Sequence, residues 1–72
     1  MKGYVAGIDV GSLSTEGVIL DPGGGIAGYS IVATGVNSTD AAEEALAKAL
    51  SSAGLDRGSL SRIVATGYGR VS

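Results

Sequence analysis

The sequence predicts one small α/β domain, spanning residues 1–72, with a mixed sheet built in the order β-β-β-α-β. Short runs of apolar and β-branched residues recur at 4–10, 15–21, 26–34 and 62–66. An amphipathic segment rich in alanine and leucine lies between the third and fourth runs, at 40–53. A chain of 72 residues buries only about 60% of its unfolded surface, so it has room for a single core.

The first three runs predict a meander of antiparallel strands. Residues 4–10 are typical of a nearly fully buried strand, and residues 15–21 return to β-branched side chains after a turn at 11–14. A connection this short joins antiparallel strands. The segment PGGG at 22–25 then reverses the chain into the third strand at 26–34.

The second half predicts a helix followed by a parallel strand. Asp40 is expected to cap a helix over 40–53, with Glu43 reaching back as a capping box and Gly54 ending the helix. The side chains expected to face the sheet are Ala42, Leu46, Ala49, Leu50 and Ala53. Because a helical crossover precedes RIVAT at 62–66, we expect this strand to lie parallel to the first.

Two short motifs have simpler explanations than the functions that their patterns suggest. GGGIAG at 23–28 has the glycine spacing of a dinucleotide-binding motif, but that motif opens a helix, whereas the residues that follow here favour a strand. We therefore predict a hairpin turn. NST at 37–39 matches a glycosylation acceptor, and the chemistry of helix entry explains it better.

The residue inventory narrows the chemistry. The sequence contains no cysteine and no histidine, which excludes thiolate nucleophiles, zinc–thiolate sites and histidine-based triads for this chain. Carboxylates, hydroxyls, backbone amides and arginine remain, and they suit phosphates and hard cations. A net charge of −2 with five basic residues argues against a nucleic-acid surface. The N-terminal apolar run stops at Asp9, too early for a signal peptide or membrane span, so we expect a cytoplasmic protein.

The segment GIDVGSLST at 7–15 is the strongest candidate site. An ionised Asp9 buried in an apolar strand needs a metal ion or hydrogen-bond donors as compensation. Gly11 permits backbone angles closed to other residues, and the hydroxyls and amides that follow suit a phosphate. A turn acid beside hairpin-forming glycines explains the segment equally well. A second glycine turn, ATGYGR at 65–70, follows the strand predicted to be parallel, so both turns would open at one sheet edge.

GIDVGSLST and IVATGYGR at 63–70 together resemble the ATPase family that activates 2-hydroxyacyl-CoA dehydratases and supplies the ATP-binding subunits of benzoyl-CoA reductases. D-x-G alone is shared with sugar kinases, actin and heat-shock chaperone ATPases, whereas ATGYGR is more specific. The resemblance covers essentially the whole chain. It implies a ribonuclease-H-like, actin-like fold that clamps ATP between two subdomains, of which this chain would be an N-terminal fragment carrying one half-domain.

The resemblance also implies roles for single residues. Asp9 corresponds to the catalytic acid that helps order Mg²⁺, usually through water. The first phosphate-binding loop for ATP or ADP corresponds to Gly11, Ser12, Leu13 and Ser14. Glu16 stands where family members commonly have lysine, and an acid there would repel phosphate.

Other parts that the family uses are not in this sequence: the second phosphate loop, the adenine pocket and the cysteines through which two subunits share an iron–sulfur cluster. We therefore expect a chain that is inactive alone and a full-length parent that serves an acyl-CoA dehydratase or reductase. We also expect a homo-oligomer with no nucleic-acid or membrane partner.

Two other functions stay open at this point. A half-domain of a sugar- or acetate-kinase-like phosphotransferase would share Asp9 and Gly11 but would not require ATGYGR. A non-catalytic domain could instead dimerise through an uncovered sheet face, because half of a two-domain fold leaves apolar surface exposed.

Overall fold

The computed structural model describes residues 3–67. Its elements are β1 (Tyr4–Val10), β2 (Ser14–Leu20), β3 (Ile26–Ala33), α1 (Ser38–Ala53), a 3-10 helix (Arg57–Ser59) and β4 (Leu60–Gly67). The sheet order is β3-β2-β1-β4. β1 pairs antiparallel with β2 and parallel with β4, and β2 pairs antiparallel with β3. The predicted α/β order and mixed sheet are therefore confirmed, and strand ends differ from the prediction by at most two residues. Tyr68, Gly69 and Arg70 of the second glycine turn lie outside the described residues.

Helix α1 covers one face of the sheet. Its main contacts are with β1, β2 and β3, and the core lies between them, formed by Ala6, Ile8, Val10, Ile19, Leu46, Ala49 and Leu50. Side chains alternate along a strand, so every second residue of β1 points to the face that α1 does not cover. The prediction of a nearly fully buried β1 is wrong for this reason, and Asp9 is exposed.

The helix lies unusually close to β2 and β3. A Cβ atom on Gly17 would be 2.8 Å from the Ala45 carbonyl oxygen, and one on Gly28 would collide with the Ala49 carbonyl. The Ser30 hydroxyl donates to the Ala45 carbonyl at 2.6 Å. These strand positions hold only glycine or serine, and because those residues are small, the backbone of α1 packs directly against the sheet.

This close approach changes which helix residues are buried. The buried positions are Ala41, Ala45, Leu46, Ala49 and Leu50, so the predicted stripe is correct at three positions. Ala42 and Ala53 are only partly buried. The small Ala41 and Ala45 face the sheet because the closest approach requires alanine rather than a larger side chain.

The helix begins at a different cap from the one predicted. Asn37 is the N-cap, and its side chain accepts the backbone N–H of Asp40 at 3.0 Å. The capping-box prediction is therefore wrong, and Glu43 instead pairs with Arg57 at 3.0 Å. The helix-entry explanation of NST is confirmed. Gly54 ends the helix in the left-handed conformation at φ 72°, as predicted. Within the described ranges, no helix is long and apolar enough to cross a membrane.

The glycines after Pro22 form the predicted hairpin turn between β2 and β3. The Asp21 carboxylate accepts the N–H groups of Gly23 at 2.8 Å and Gly25 at 3.0 Å. Gly24 adopts φ 94°, which favours glycine. GGGIAG thus runs into β3 and not into a helix, in agreement with our rejection of a dinucleotide motif.

Candidate functional site

The carboxyl ends of β1 and β4 meet at one edge of the sheet. In the parallel register Asp9 is the neighbour of Thr66, and Val10 is the neighbour of Gly67. The sequence prediction that the two glycine-containing segments come together is confirmed as far as Gly67. In α/β sheets this edge is where ligands bind.

Gly67 has a role that sequence reasoning missed. Its backbone has φ 114°, and a Cβ atom there would lie 2.9 Å from Asp9 Oδ1 and would collide with the Val10 backbone. The Asp9 carboxylate therefore occupies space that only a glycine in β4 leaves free. The repeated glycines of ATGYGR were a signal of such a close approach, but the sequence did not show which residue needed the space.

Asp9 and Glu16 are directly opposite each other on β1 and β2. Both are exposed on the face that α1 leaves uncovered. In the part of the chain that the structure describes, neither carboxylate has a hydrogen-bond or ion-pair partner. The premise that Asp9 is a buried acid is wrong, so no burial cost has to be compensated. Its position opposite a second acid is instead a local electrostatic repulsion.

A shallow depression of 240 Å³ lies beside this pair on the uncovered face. Gly7 lines it, with Val18 beside it on β2 and Val64 beside it on β4. Asp9 and Glu16 form the next row of side chains along the strands. Apolar side chains therefore line one part of the depression, and the carboxylates of Asp9 and Glu16 line the part next to it.

The turn between β1 and β2 is shaped by Gly11. The Gly11 N–H donates to the Ser14 carbonyl at 2.8 Å, and a Cβ atom on Gly11 would be 2.7 Å from that same oxygen. Among residues 3–67, the amides of Ser12 and Leu13 have no backbone partner. Gly11 thus shapes the turn while the next amides remain available as donors.

Thr34, just after β3, fastens this turn from the neighbouring strand. Its N–H donates to the Leu13 carbonyl at 3.0 Å, and its hydroxyl donates to the Gly11 carbonyl at 2.7 Å. The Thr15 hydroxyl lies 2.9 Å from the Thr34 hydroxyl. The sequence predicts Thr34 only as the last residue of the third strand. One signal was available in the sequence: Thr15 and Thr34 both fall at positions where the alternation of side chains along a strand predicts burial.

Replacing Glu16 by glutamine should stabilise the fold by up to about 1 kcal/mol, because the change removes the charge opposite Asp9 and keeps the size of the side chain. Urea denaturation measures the effect. Glu44→Gln is the matched control, since Glu44 pairs with Lys48 at 3.7 Å and its loss should cost a few tenths of a kcal/mol. An unchanged or lower stability for Glu16→Gln would show that the two carboxylates do not repel each other.

Comparison with known proteins assigns the chain to a family. Residues 6–72 match the model of the BadF/BadG/BcrA/BcrD ATPase family. The chain is 45% identical over 67 residues to the activator of lactoyl-CoA dehydratase from Anaerotignum propionicum, covering 93% of this chain and 26% of that protein. It is 35% identical over 69 residues to the 2-hydroxyisocaproyl-CoA dehydratase activator from Clostridioides difficile, covering 96% and 26%.

Solved structures show the same fold. Component A of (R)-2-hydroxyglutaryl-CoA dehydratase from Acidaminococcus fermentans matches with a TM-score of 0.82 and 36% identity over 93% of this chain and 26% of that one. The activator of 2-hydroxyisocaproyl-CoA dehydratase from Clostridium difficile with bound ADPNP matches with a TM-score of 0.79 and 36% identity, over 93% and 25%. These likenesses confirm the predicted actin-like class.

The chain spans about a quarter of the length of the curated relatives that it matches, 26% in each case. The family match nevertheless includes every described residue of the candidate site, from Asp9 through the turn at 11–14 to Gly67. Because the family model matches residues 6–72, the chain belongs to the BadF/BadG/BcrA/BcrD ATPase family.

Proposed function

We propose that this chain supplies the first phosphate-binding turn of an ATPase that activates a 2-hydroxyacyl-CoA dehydratase. The observation that carries the proposal is the sheet edge where the turn at 11–14, Asp9 and Gly67 lie together. Two relatives are named as dehydratase activators, and one solved relative holds ADPNP. We place an acyl-CoA dehydratase, rather than a benzoyl-CoA reductase, as the partner of the parent protein.

In this proposal the turn binds phosphate through its backbone. The amides of Ser12, Leu13 and Ser14 would donate to phosphate oxygens, as successive backbone amides do in anion-binding loops. Gly11 would not donate, because its N–H is already bonded to the Ser14 carbonyl. Its contribution is the backbone path that no larger residue could follow.

Asp9 fits the role of a Mg²⁺-ordering acid. Mg²⁺ keeps several waters and binds proteins through one or two carboxylates together with substrate phosphates. The described residues offer no group of three or more metal-ligating side chains, and the Asp9 carboxylate is exposed beside the phosphate turn. Bound Mg²⁺ would neutralise phosphate charge, and the Asp9 carboxylate would orient the waters around the ion.

An iron–sulfur cluster does not fit these residues. The sequence contains no cysteine, so any cluster ligands of the parent protein would have to come from outside these 72 residues. ATP hydrolysis also needs donors around the γ-phosphate from both walls of a cleft. The turn at 11–14 and Asp9 form one wall.

The isolated chain should bind ADP with Mg²⁺ weakly and should not hydrolyse ATP. Asp9→Ala should weaken that binding by about tenfold, the equivalent of one lost charge-assisted interaction. Calorimetric titration and a phosphate-release assay measure the two properties. Asp56→Ala is the matched control, because Asp56 is an exposed acid whose side chain caps nothing. Turnover that depends on Asp9 would show that the chain is a complete site, and equal binding by Asp9→Ala would remove Asp9 from it.

We further propose that the isolated chain self-associates through its uncovered sheet face. Tyr29 and Val64 are each 50% exposed there, and Ile31 is 56% exposed. Exposed apolar side chains on a sheet favour association. Light scattering should detect oligomers that Val64→Lys reduces and Ala47→Lys, on the solvent side of α1, does not. A monodisperse monomer at high concentration would contradict this proposal.

A further inference from the structure

We propose that Thr34 is a positioning residue that holds the phosphate turn open, so that the amides of Ser12 and Ser14 face the ligand. The role toward phosphate rests on the function proposed above. The effect of Thr34 on the shape of the turn is independent of that function, because it follows from hydrogen bonds within the protein. Thr34 directly follows β3, whereas the turn joins β1 to β2, and Thr34 donates to two carbonyl groups of that turn.

The hydroxyl groups form a chain with a defined direction. The Thr34 hydroxyl has one hydrogen, which it donates to the Gly11 carbonyl at 2.7 Å. The contact of 2.9 Å between Thr15 Oγ1 and Thr34 Oγ1 must then have Thr15 as its donor. Thr15 is fully buried and Thr34 is 6% exposed, so the bond between the two hydroxyls is shielded from water, and the bond to the Gly11 carbonyl is partly shielded. These two successive hydrogen bonds therefore restrict the orientation of the Gly11 carbonyl.

The hydrogen bond from the Thr34 hydroxyl to the Gly11 carbonyl takes the place of a bond that a tight turn makes within itself. β1 and β2 pair up to Val10 and Thr15, which leaves Gly11 to Ser14 in the register of a two-residue hairpin loop. In such a turn the first carbonyl accepts the N–H of the fourth residue. In the described chain the reciprocal bond from Gly11 N–H to the Ser14 carbonyl is present, but the Ser14 N–H does not bond to the Gly11 carbonyl. The Thr34 hydroxyl occupies that acceptor instead.

The direction of the freed amides follows from peptide geometry. The described peptide bonds are all trans, and in a trans peptide the carbonyl and the next N–H point in opposite directions. The carbonyls of Gly11 and Leu13 both point to Thr34. The N–H groups of Ser12 and Ser14 consequently both point away from it. Both donors are thus turned away from Thr34, and neighbouring backbone amides turned outward in this way can bind an anion.

Replacing Thr34 by valine removes the hydroxyl and nearly preserves the shape. The Gly11 carbonyl then loses its donor and becomes free to accept the Ser14 N–H, which closes the turn. Hydrogen exchange at the Ser14 amide should slow, even though the variant is less stable overall. A residue that only supported the fold would have the opposite effect, because loss of stability speeds exchange.

The first experiment compares exchange at the Ser14 amide without any ligand. Thr34→Val should show slower exchange than the unsubstituted chain, and Thr34→Ser, which keeps the hydroxyl, should restore the original rate. Ser30→Ala is the matched control, since it removes a buried hydroxyl bond 2.6 Å long that joins β3 to α1 and does not involve the turn. Ser30→Ala should lower the stability without slowing exchange at Ser14. Unchanged or faster exchange in Thr34→Val would overturn the inference.

The second experiment titrates the same four proteins with ADP and Mg²⁺. Thr34→Val should bind about tenfold more weakly, as expected for one hydrogen-bond donor withdrawn from a phosphate, while Thr34→Ser and Ser30→Ala should retain the original affinity. Equal affinity for Thr34→Val would overturn the positioning role and leave the proposed function intact. If the unsubstituted chain itself fails to bind, the proposed function fails and the phosphate role of Thr34 fails with it. If Thr34→Val unfolds, both measurements are made in sucrose, which favours the folded state.

Discussion

Replacing Gly28 by alanine is expected to unfold much of the protein. A Cβ atom at this position would collide with the Ala49 carbonyl, and it would lie 2.8 Å from Ala53 Cβ and 3.0 Å from the Ala53 nitrogen. Two of these three atoms belong to the helix backbone, which cannot turn aside as a side chain could. Overpacking of this kind costs about 3 kcal/mol, and a domain of this size has only about 3–5 kcal/mol of stability.

Thermal and urea unfolding followed by circular dichroism measure this loss. Gly23→Ala is the matched control, because Gly23 lies in the exposed hairpin turn, where a Cβ atom would have its nearest contact at 3.4 Å, an ordinary distance. The control should change the stability by a few tenths of a kcal/mol. If Gly28→Ala melts near the original temperature, α1 does not rest on the backbone of β3 as the structure describes.

Replacing Gly67 by alanine should weaken binding of ADP with Mg²⁺ by about tenfold, as much as Asp9→Ala does, and the clash with the Val10 backbone should also lower the stability of the protein. The added Cβ would lie 2.9 Å from Asp9 Oδ1 and would collide with the Val10 backbone. The carboxylate must then move from its place at the sheet edge. Because the variant acts on the ligand by moving that carboxylate, the loss in affinity should not exceed the loss of about tenfold expected for Asp9→Ala. Titration calorimetry measures it.

The matched control for Gly67→Ala must also place an alanine at a glycine whose φ angle is positive. Gly35 has φ 67°, and a Cβ atom there would meet nothing within 4 Å. Gly35→Ala should therefore cost about 1 kcal/mol of backbone strain and should leave nucleotide affinity unchanged. If Gly67→Ala binds as well as Gly35→Ala, the space over Gly67 is not needed by Asp9.

The architecture was predictable because local signals agreed with one another. The short turns forced antiparallel pairing in the meander, and the helical crossover forced β4 to lie parallel to β1. The parallel register then placed Asp9 beside Thr66. That step allowed residues far apart in the sequence to be assigned to one sheet edge.

The helix cap and the buried stripe were not predictable from the same signals. Asn37 and Asp40 are both good N-cap residues, so the start of α1 depends on where the chain leaves β3. The choice of Ala41 over Ala42 as a buried residue depends on the rotation of the helix. Contact with Gly28 and Ser30 sets that rotation, and helical periodicity alone does not report it.

The candidate site was predictable in its residue types but not in its connections. The turn at 11–14 and Asp9 could be chosen because glycine, hydroxyl groups and a carboxylate suit phosphate and Mg²⁺. The exposure of Asp9 depends on α1 covering a single face of the sheet. The bonds from Thr34 join the end of β3 to the turn between β1 and β2, 23 positions away for the bond to Gly11. Only the pairing of β2 with β3 brings them together.

The central claim is that the turn at 11–14, and not the hairpin at 23–25, binds the phosphates of a nucleotide. The most direct measurement is a titration of the isotope-labelled chain with ADP and Mg²⁺, followed through its backbone amide resonances. The account predicts that the amides of 11–14 shift first and furthest, with Asp9 and Gly67 following because they share the sheet edge. Equal or larger shifts at 23–25 would contradict it and would favour the dinucleotide motif that the sequence formally contains.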